Sequence, residues 1–390
     1  MKLRHNIKVT GKNIFWSILL LASASSADAS SISMGKPYTT SLFDIPITIN
    51  GVISGLGFAQ TNPESSYSVG LLGSKRFGAT VSNALIIVGD DKTPVGFRIV
   101  GGYYVSPAVG APITNGQTFG PLPEAYLILN PTHDLSIDIG KLPTLIGPTY
   151  GFTYQRDNIQ GSLLWYIENA KNRGVQVNLN HNKWQASISI NDGYYTNRYN
   201  YIDGSLSVDL NRHNSITFYG GGNLGHTGVL QDNENFSGYS SSGYVDASLV
   251  ADNSDIFGVY YTYSGRHVTI LPYIQYIYTP TNQQFGTTKT SSVVGGALHI
   301  AWHITKFFTL PLSFDYESSS GPQSGLLLGY GDDASAYTVQ ITPTISDMGY
   351  FARLGFSYAH VLNGSAGDQF GMSGLSPTQF RVMTEIGYYF

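Results

Sequence analysis

The chain alternates apolar and polar residues with a period of two over most of its length after residue 44. The alternation is clearest in five runs, which cover residues 184–191, 203–210, 298–304, 308–315 and 352–358. Successive strand residues point to opposite faces, so each run predicts a strand with one apolar and one polar face. The apolar faces carry no charge. The pattern therefore predicts an all-β fold.

Composition separates a membrane barrel from a soluble sandwich, which would show the same alternation. Charged residues make up only 12% of the chain, against roughly 25% in average soluble domains. Beyond the N-terminal segment, no stretch is apolar for as long as a transmembrane helix requires. We therefore expect a transmembrane antiparallel β-barrel, which crosses the membrane with strands whose outer faces meet lipid.

The connections between the runs fall into a short and a long class. Short polar turns recur at residues 90–94, 130–134, 180–183, 211–214, 305–306 and 346–348. Long Gly/Ser/Asn-rich stretches cover residues 225–243, 280–292, 318–335 and 362–377. Short periplasmic turns at one end and long outer loops at the other are typical of bacterial outer-membrane barrels.

The number of strands does not follow directly from the number of runs. We count seventeen candidate runs, whereas single-chain bacterial barrels have an even number of strands. The runs 256–263 and 268–278 disturb the up-and-down order between Tyr244 and Pro280. We expect sixteen strands, with eighteen as the alternative. Either one of these two runs belongs to a loop or one strand elsewhere has been missed.

Residues 1–29 have the order of a cleaved export signal. A basic segment precedes a short apolar core at residues 14–22, and Ala27-Asp28-Ala29 offers a cleavage site. The apolar core is too short to cross a bilayer core of roughly 30 Å as a helix. We expect cleavage after Ala29, with Ala24 as the second choice, and a barrel formed by residues 30–390. An uncleaved membrane anchor is the alternative.

The charge of the mature chain limits its partners. Residues 1–29 carry four basic groups and one acid, so 17 basic and 24 acidic residues remain, a formal charge of −7. This balance argues against nucleic acid as a partner. The chain has no Cys, which excludes a disulfide framework and a thiolate metal site.

The last run ends on aromatic residues. Every second residue from Phe380 to Phe390 shares one face, and Arg381 and Glu385 lie on the other. An alternating strand with a terminal Phe resembles the signal by which outer-membrane barrels are recognised for assembly. We expect Ile386, Tyr388 and Phe390 to form this signal for the barrel-assembly machinery. An ordinary buried edge strand is the alternative.

One long interruption, residues 143–172, concentrates charge in a charge-poor chain. By our count it joins strands five and six as the third long loop, and residues 158–170 have a helix-like pattern. Folded into the lumen, such a loop would narrow a pore, and its charges would set selectivity. A solvated surface loop is the alternative. The candidate constriction residues are Arg156, Asp157, Glu168, Lys171 and Arg173.

Several blocks resemble the OmpL-like β-barrel porin family (porin-2 type). They are Gly140-Lys141-Leu142-Pro143-Thr144-Leu145-Ile146-Gly147, Asn158-Ile159, Leu163-Leu164-Trp165 with Glu168, Arg173-Gly174-Val175-Gln176, Asn191-Asp192-Gly193-Tyr194-Tyr195 and Gly220-Gly221-Gly222-Asn223-Leu224-Gly225. The blocks keep their order over residues 140–225, and the general plan extends to Phe390. The resemblance implies an outer-membrane porin-like barrel, and it implies no particular substrate.

Enzymatic and cofactor-binding patterns are weak. The chain contains no G-x-S-x-G elbow and no P-loop or dinucleotide fingerprint. His299 and His303 share a strand face but lie roughly 13 Å apart along it, too far to share a metal ion. The tyrosines at 194, 195, 199 and 201 fit an interfacial aromatic girdle, with sugar stacking as the alternative. We expect no enzyme, no cofactor and no metal site.

These patterns predict a porin-like channel in the outer membrane of a Gram-negative bacterium. It would let ions and small hydrophilic solutes diffuse passively, as a monomer or a homotrimer embedded in outer-membrane lipid. The alternative function is a plugged or narrow barrel that acts as a surface adhesin or receptor through its outer loops.

Overall fold

The computed structural model describes residues 31–42, 45–63, 75–91, 93–111, 119–194, 196–227, 247–282 and 289–390. The predicted export signal, residues 1–29, lies outside this range. The strands are β1 (Tyr38–Leu42), β2 (Ile45–Gln60), β3 (Phe77–Asp90), β4 (Val95–Tyr104), β5 (Glu124–Thr132), β6 (Leu135–Pro143), β7 (Lys171–His181), β8 (Trp184–Asn191), β9 (Tyr201–Asn211), β10 (Asn214–Asn223), β11 (Asp255–Ser264), β12 (Val268–Thr279), β13 (Ser291–His303), β14 (Phe308–Ser320), β15 (Ser335–Ile341), β16 (Thr344–Asp347), β17 (Tyr350–Leu362) and β18 (Thr378–Tyr389).

These strands form one closed antiparallel sheet. From β2 onward each strand pairs with the next, and β18 returns to pair with β2 from Arg381↔Gln60 to Tyr389↔Val52. The segments β15 and β16 both pair with β14 and with β17, so they are one strand interrupted at Thr342–Pro343. The short β1 pairs with the first residues of β2. The barrel therefore has sixteen strands, as expected.

The two faces of the barrel wall differ as the alternation predicted. Outward residues are apolar and exposed: Ile53, Ile274 and Ile386 are 60–66% exposed. Inward neighbours are polar and buried, such as Arg353 at 2% and Glu385 at 0%. A hydrocarbon surround accepts apolar side chains and offers no partner to polar ones. The barrel therefore has an apolar outer face and a largely polar inner face, as expected for strands with one face in hydrocarbon.

All the short turns lie at one end of the barrel, the turn end, and the long connections lie at the other, the loop end. The two runs that disturbed the strand count, residues 256–263 and 268–278, follow the same arrangement of short turns and long loops. Both are strands, β11 and β12, joined by a short turn at residues 265–267. The expectation that one of them belongs to a loop was wrong. Asn182 completes the tight turn between β7 and β8 with a φ of +50°, a conformation that Asn tolerates better than most residues.

Several aromatic side chains lie together at the turn end of the barrel, where β17, β18 and β2 meet. The rings of Tyr350 and Tyr388 are 4.5 Å apart, and those of Tyr388 and Phe390 are 6.1 Å apart. The Phe390 ring lies so close over Gly51 that a Cβ at residue 51 would overlap it. The backbone of Phe390 also exchanges two hydrogen bonds with Gly51. Phe390 therefore seals the junction between the last and the first barrel strand.

The inner face is only partly polar. On the wall from β10 to β13, the inward residues form an apolar cluster that includes Tyr219, Tyr260, Leu271, Tyr273, Ile277 and Val293. The described parts of the loops contain three short helices: α1 (Leu163–Tyr166), α2 (Ala247–Asp252) and α3 (Gly325–Leu328). Part of the lumen is thus a packed core, which the strand alternation did not predict.

Among the described residues, no helix has the length and hydropathy needed to cross a membrane.

The lipid-facing register predicts the effect of a charge on each wall face. Leu354 is outward and 41% exposed on β17, so Leu354→Arg should reduce the free energy of insertion by roughly 2–4 kcal/mol if the position is near the midplane. Gln185→Arg, on the inner face of β8, is the matched control and should be tolerated. Urea titration of the refolded barrel in lipid, read by heat-modifiable migration, measures both. Equal losses in the two variants would contradict the assignment of faces.

Candidate constriction inside the barrel

The loop between β6 and β7, residues 144–170 (L3), carries most of the charged candidates. It contains a 3-10 turn at Thr153–Gln155 and the single-turn helix α1. Ser162 caps α1, because its Oγ accepts a hydrogen bond from the Trp165 N–H at 3.1 Å. The expected helix over residues 158–170 is therefore reduced to one turn. Lys171 and Asn172, counted with the loop in the sequence, belong to β7.

L3 enters the lumen and is held there by an ion pair of the opposite wall. Arg353 of β17 pairs with Glu385 of β18 and donates to the carbonyl oxygens of Thr153 and Arg156, each at 2.8 Å. The hydroxyl of Thr153 donates to Glu385 Oε1 at 2.7 Å. Hydrogen bonds with an ionised partner are the stronger ones. One strand pair thus fixes the backbone of L3 at two points.

A second arginine ties L3 to the preceding loop. Arg381 of β18 donates to Gln160 Oε1 at 2.7 Å and to the carbonyl oxygens of Ala108 and Ala111 at 3.0 and 2.8 Å. Residues 108 and 161 also form an isolated parallel bridge. The segment around Gln160 is therefore anchored to the wall and to its neighbouring loop together.

The far side of L3 packs on the apolar part of the wall. Ile146, Leu164 and Ile167 join the cluster of β10–β13. Ser162 Oγ and the Tyr273 hydroxyl are 2.9 Å apart, and the Tyr194 hydroxyl donates to the Ile167 carbonyl at 3.1 Å. L3 consequently spans the lumen from the β17–β18 side to the β12 side.

The tyrosines at 194–201 were expected to form an interfacial girdle, and the structure corrects this. Tyr201 is fully buried on the inner face of β9, and its ring contacts that of Tyr194 edge-on at 6.3 Å. Tyr199 alone of the described three is well exposed. Tyr194 and Tyr201 therefore support L3 from within.

Two of the five candidates, Arg156 and Asp157, lie at the centre of L3. The Arg156 guanidinium stacks on the Trp165 ring at 4.0 Å and donates to the carbonyl oxygens of Pro107 and Gly151. Burial, and then the charge of Arg353, lowers the pKa of Arg156 to about 9. Burial raises the pKa of Asp157 to about 6, although Arg353 and His299 oppose the rise.

The other three candidates, Lys171, Glu168 and Arg173, lie in three different surroundings. Lys171 forms a buried ion pair with Glu124 of β5, which also pairs with Arg98 of β4 at 2.9 Å. Glu168 is buried and has no ion-pair partner among the described residues. Arg173 shares the outward face of β7 with Val175 and pairs with Asp192 at 2.7 Å. Placing Arg173 in the constriction was therefore wrong, because its register on β7 turns it away from the lumen.

The anchoring residues Arg353, Arg381 and Glu385 were missed as site residues. The sequence placed them on the inner faces of their strands, but nothing in it showed that L3 would reach them. Their signal was charge at inward positions of strands that are otherwise nearly free of charge. Inward charges in a barrel need partners, and here the loop backbone supplies them.

Two small cavities flank L3. One has a volume of about 30 Å³ and lies between Asp157, Asn158 and Gln160 of L3 and Thr269, His299 and Gln340 of the wall. The other has a volume of about 50 Å³, with Lys171 and a hydroxyl-rich wall from β8 to β10. Cavities of this size hold one to a few water molecules.

The Arg353 anchor predicts a variant that releases L3. Arg353→Leu leaves Glu385 buried without its cationic partner, at a cost of roughly 3–5 kcal/mol. We expect a less stable barrel with higher and noisier conductance, measured by urea unfolding and planar-bilayer recording. Arg212→Leu, in an exposed turn, also removes one positive charge and should change neither.

Comparisons with known proteins agree with this architecture. The solved structure of OmpT from Vibrio cholerae is 9% identical, with a TM-score of 0.58 over 90% of this chain and 100% of that one. The channel DcaP of Acinetobacter baumannii is 11% identical, with a TM-score of 0.53 over 88% and 97%. OmpF of Salmonella typhi, solved in complex with daunomycin, is 12% identical, with a TM-score of 0.52 over 90% and 100%. At these identities the likeness concerns the fold.

Comparison of the sequence with known families assigns the chain more narrowly than its fold does. No curated protein is significantly similar to it. Residues 46–390, which include every barrel strand from β3 to β18 and nearly all of β2, match the family described as "Putative beta-barrel porin-2, OmpL-like". The resemblance read from the motifs is confirmed. The chain belongs to this porin family and is a β-barrel channel of the bacterial outer membrane.

Proposed function

We propose that the protein is a narrow diffusion channel for ions and small hydrophilic solutes, with L3 as its constriction and a preference for cations. The observation that supports the constriction is the set of hydrogen bonds from Arg353, Arg381 and Glu385 to L3, which hold the loop across the lumen. A sixteen-stranded barrel is otherwise wide enough for an open aqueous channel. The family and the fold are those of a channel rather than of an enzyme.

The charge of the lumen supports cation preference. Inward-facing Asp138, Asp203 and Glu317 form no ion pair among the described residues, whereas the inward cations Arg98, Lys171 and Arg353 are paired with acids. Arg381, which also faces inward, donates to amide and backbone carbonyl oxygens. Asp157 lines the cavity between L3 and His299. Fixed negative charge along a passage raises the local concentration of cations and repels anions. Small cations should therefore pass more readily than anions.

A second candidate function rests on the packed side of the lumen. Ile146, Leu164 and Ile167 of L3 fill the space beside β10–β13 with apolar side chains. A barrel closed in this way could act as a surface adhesin or receptor through its outer loops. Planar-bilayer recording separates the two functions, because stepwise conductance supports the channel and its complete absence supports the adhesin.

Asp157 gives the selectivity a pH dependence. Because its pKa is raised to about 6, the carboxylate is charged above that pH and neutral below it. The cation preference should therefore be largest above about pH 7 and fall as the pH drops through about 6. Asp157→Asn should lower the cation preference above pH 6 to the level of the acidified wild type.

Reversal potentials in a salt gradient measure this selectivity. Asp347→Asn, at an exposed position of the turn end, removes the same charge and should keep the wild-type pH profile. An Asp157→Asn channel with unchanged reversal potentials at every pH would show that ions do not pass beside this residue.

We further propose that residues 1–29 are removed on export and that Ile386, Tyr388 and Phe390 form the face read by the barrel-assembly machinery. The contact of Phe390 with Gly51 supports a role in closing the barrel. A Phe390→Ala chain should be exported and should begin near Ser30 on N-terminal sequencing, but less of it should reach the heat-modifiable folded form. Retention of Met1, or wild-type folding, would contradict the respective half of this proposal.

We also propose contact with outer-membrane lipid over the whole apolar wall. The assembly is a monomer or a homotrimer, which sedimentation in detergent distinguishes.

A further inference from the structure

The segment before β1, residues 31–37, runs into the barrel instead of away from it. It belongs to no strand or helix. β1 pairs with the first residues of β2 at the turn end. Just before β1, Gly35 crosses the end of β18, where its N–H donates to the Tyr389 carbonyl oxygen at 3.0 Å. The crossing is so close that a Cβ at residue 35 would overlap this oxygen. The residues that precede Gly35 therefore lie at the turn-end mouth of the lumen.

Ile32 is buried inside this mouth. It is 5% exposed and belongs to an apolar cluster on the inner face of the wall. The wall contributes inward residues of β2, β3, β4, β17 and β18 to this cluster, among them Val52 and Tyr389. L3 contributes Phe152 and Tyr154, whose rings are 5.8 Å apart, and the ring of Tyr154 stacks on that of Tyr389 at 5.5 Å. Ile32 thus shares one apolar cluster with the wall and with L3.

Polar contacts hold the segment to L3 and to the wall. Ser31 is 9% exposed, and its hydroxyl donates to the backbone carbonyl of Asp157 in L3 at 3.4 Å. The Ser33 N–H donates to the hydroxyl of Ser346, a buried residue of β16. From Ser31 to Gly35 the chain spans at most roughly 14 Å. The segment therefore connects the turn-end mouth with L3.

The same segment has the properties of a contact that can open. Of its two large apolar side chains between residues 31 and 35, Ile32 is buried and Met34 is 59% exposed. Segments near a chain end that bury little apolar surface are the ones that open locally. If residues 1–29 are removed, as proposed above, the segment is also a free chain end, which can leave the mouth without drawing other residues with it.

We propose that residues 31–35 form an N-terminal strap that Ile32 seats in the lumen, and that the passage beside L3 is narrowest while the strap is seated. A seated strap occupies the space between L3 and the turn-end mouth, whereas an unseated strap leaves this space to water and solutes. The effect on conduction rests on the proposed channel function. The seating itself does not.

The chain has no Cys, so thiol labelling can follow the strap. Ser31→Cys introduces a thiol at the buried end of the strap, and Ser41→Cys introduces one at an exposed position of β1. The protein is extracted from the membrane, so that it carries the N-terminus that the cell produces, and is reacted with a water-soluble maleimide. We expect Ser31→Cys to react several-fold more slowly than Ser41→Cys, because its thiol lies against L3.

Ile32→Ser and Met34→Ser are matched variants, because each replaces a large apolar side chain of the strap by the same small polar one. In the Ser31→Cys background, Ile32→Ser should raise the labelling rate several-fold, since it removes the buried anchor. Met34→Ser removes an exposed side chain and should leave the rate unchanged. Single-channel conductance should rise in Ile32→Ser and stay at the wild-type level in Met34→Ser. Heat-modifiable migration confirms that each barrel is folded.

Two labelling results would overturn the strap. One is an equal rate for Ser31→Cys and Ser41→Cys, a comparison that does not depend on the folding of Ile32→Ser. The other is a folded Ile32→Ser barrel in which Ser31→Cys still reacts slowly.

Conductance separates the strap from the channel function. Faster labelling of Ile32→Ser with unchanged conductance would overturn the narrowing while keeping the seating. A barrel without any conductance would contradict the channel function and with it the narrowing, whereas the labelling rates would still decide the seating.

Discussion

The structure depends first on the requirement that a chain in lipid pair all of its backbone N–H and C=O groups internally. The barrel meets it by pairing β18 with β2 over nine residue pairs, so that the sixteen described barrel strands close into one sheet. Phe390 extends this junction by two backbone hydrogen bonds to Gly51 and covers it with its ring. Closure in turn fixes which face of every strand meets lipid and which meets the lumen.

The confinement of charge to the interior explains how L3 is held. Most charged side chains of the wall lie on its inner face, and a buried charge there is costly unless it is paired. Arg353 forms an ion pair with Glu385 and also donates hydrogen bonds to the backbone of L3. Arg381 donates hydrogen bonds to residues 108, 111 and 160. L3 is therefore also the segment that supplies partners for the charges of this part of the wall. Among the described residues, Glu168 and Glu317 form no ion pair.

The period-two pattern predicted the barrel and its outward-facing residues, because both follow from local alternation and from the contrast between turns and loops. The pattern itself gave seventeen runs, and the expectation of sixteen strands came from the even number that single-chain bacterial barrels have. It also placed residues 143–172 correctly between strands five and six. It could not predict the partners of L3, since Thr153 meets Glu385 across 232 positions of sequence. Arg173 was misassigned for a local reason: β7 begins at Lys171, and one step of register decides whether a residue points inward or outward. The apolar cluster of β10–β13 escaped notice because it forms where side chains of four strands and L3 meet, which the alternation within one strand does not show.

We propose that L3 limits conduction through the barrel. Replacing residues 152–170 by a short Gly/Ser linker tests this proposal most directly. The linker would join Gly151 to Lys171 and keep the Lys171–Glu124 ion pair. Single-channel recording in planar bilayers should then show a conductance several-fold above that of the wild type, from a barrel that remains heat-modifiable. An unchanged conductance in a folded variant would mean that the passage is limited elsewhere and would contradict the account.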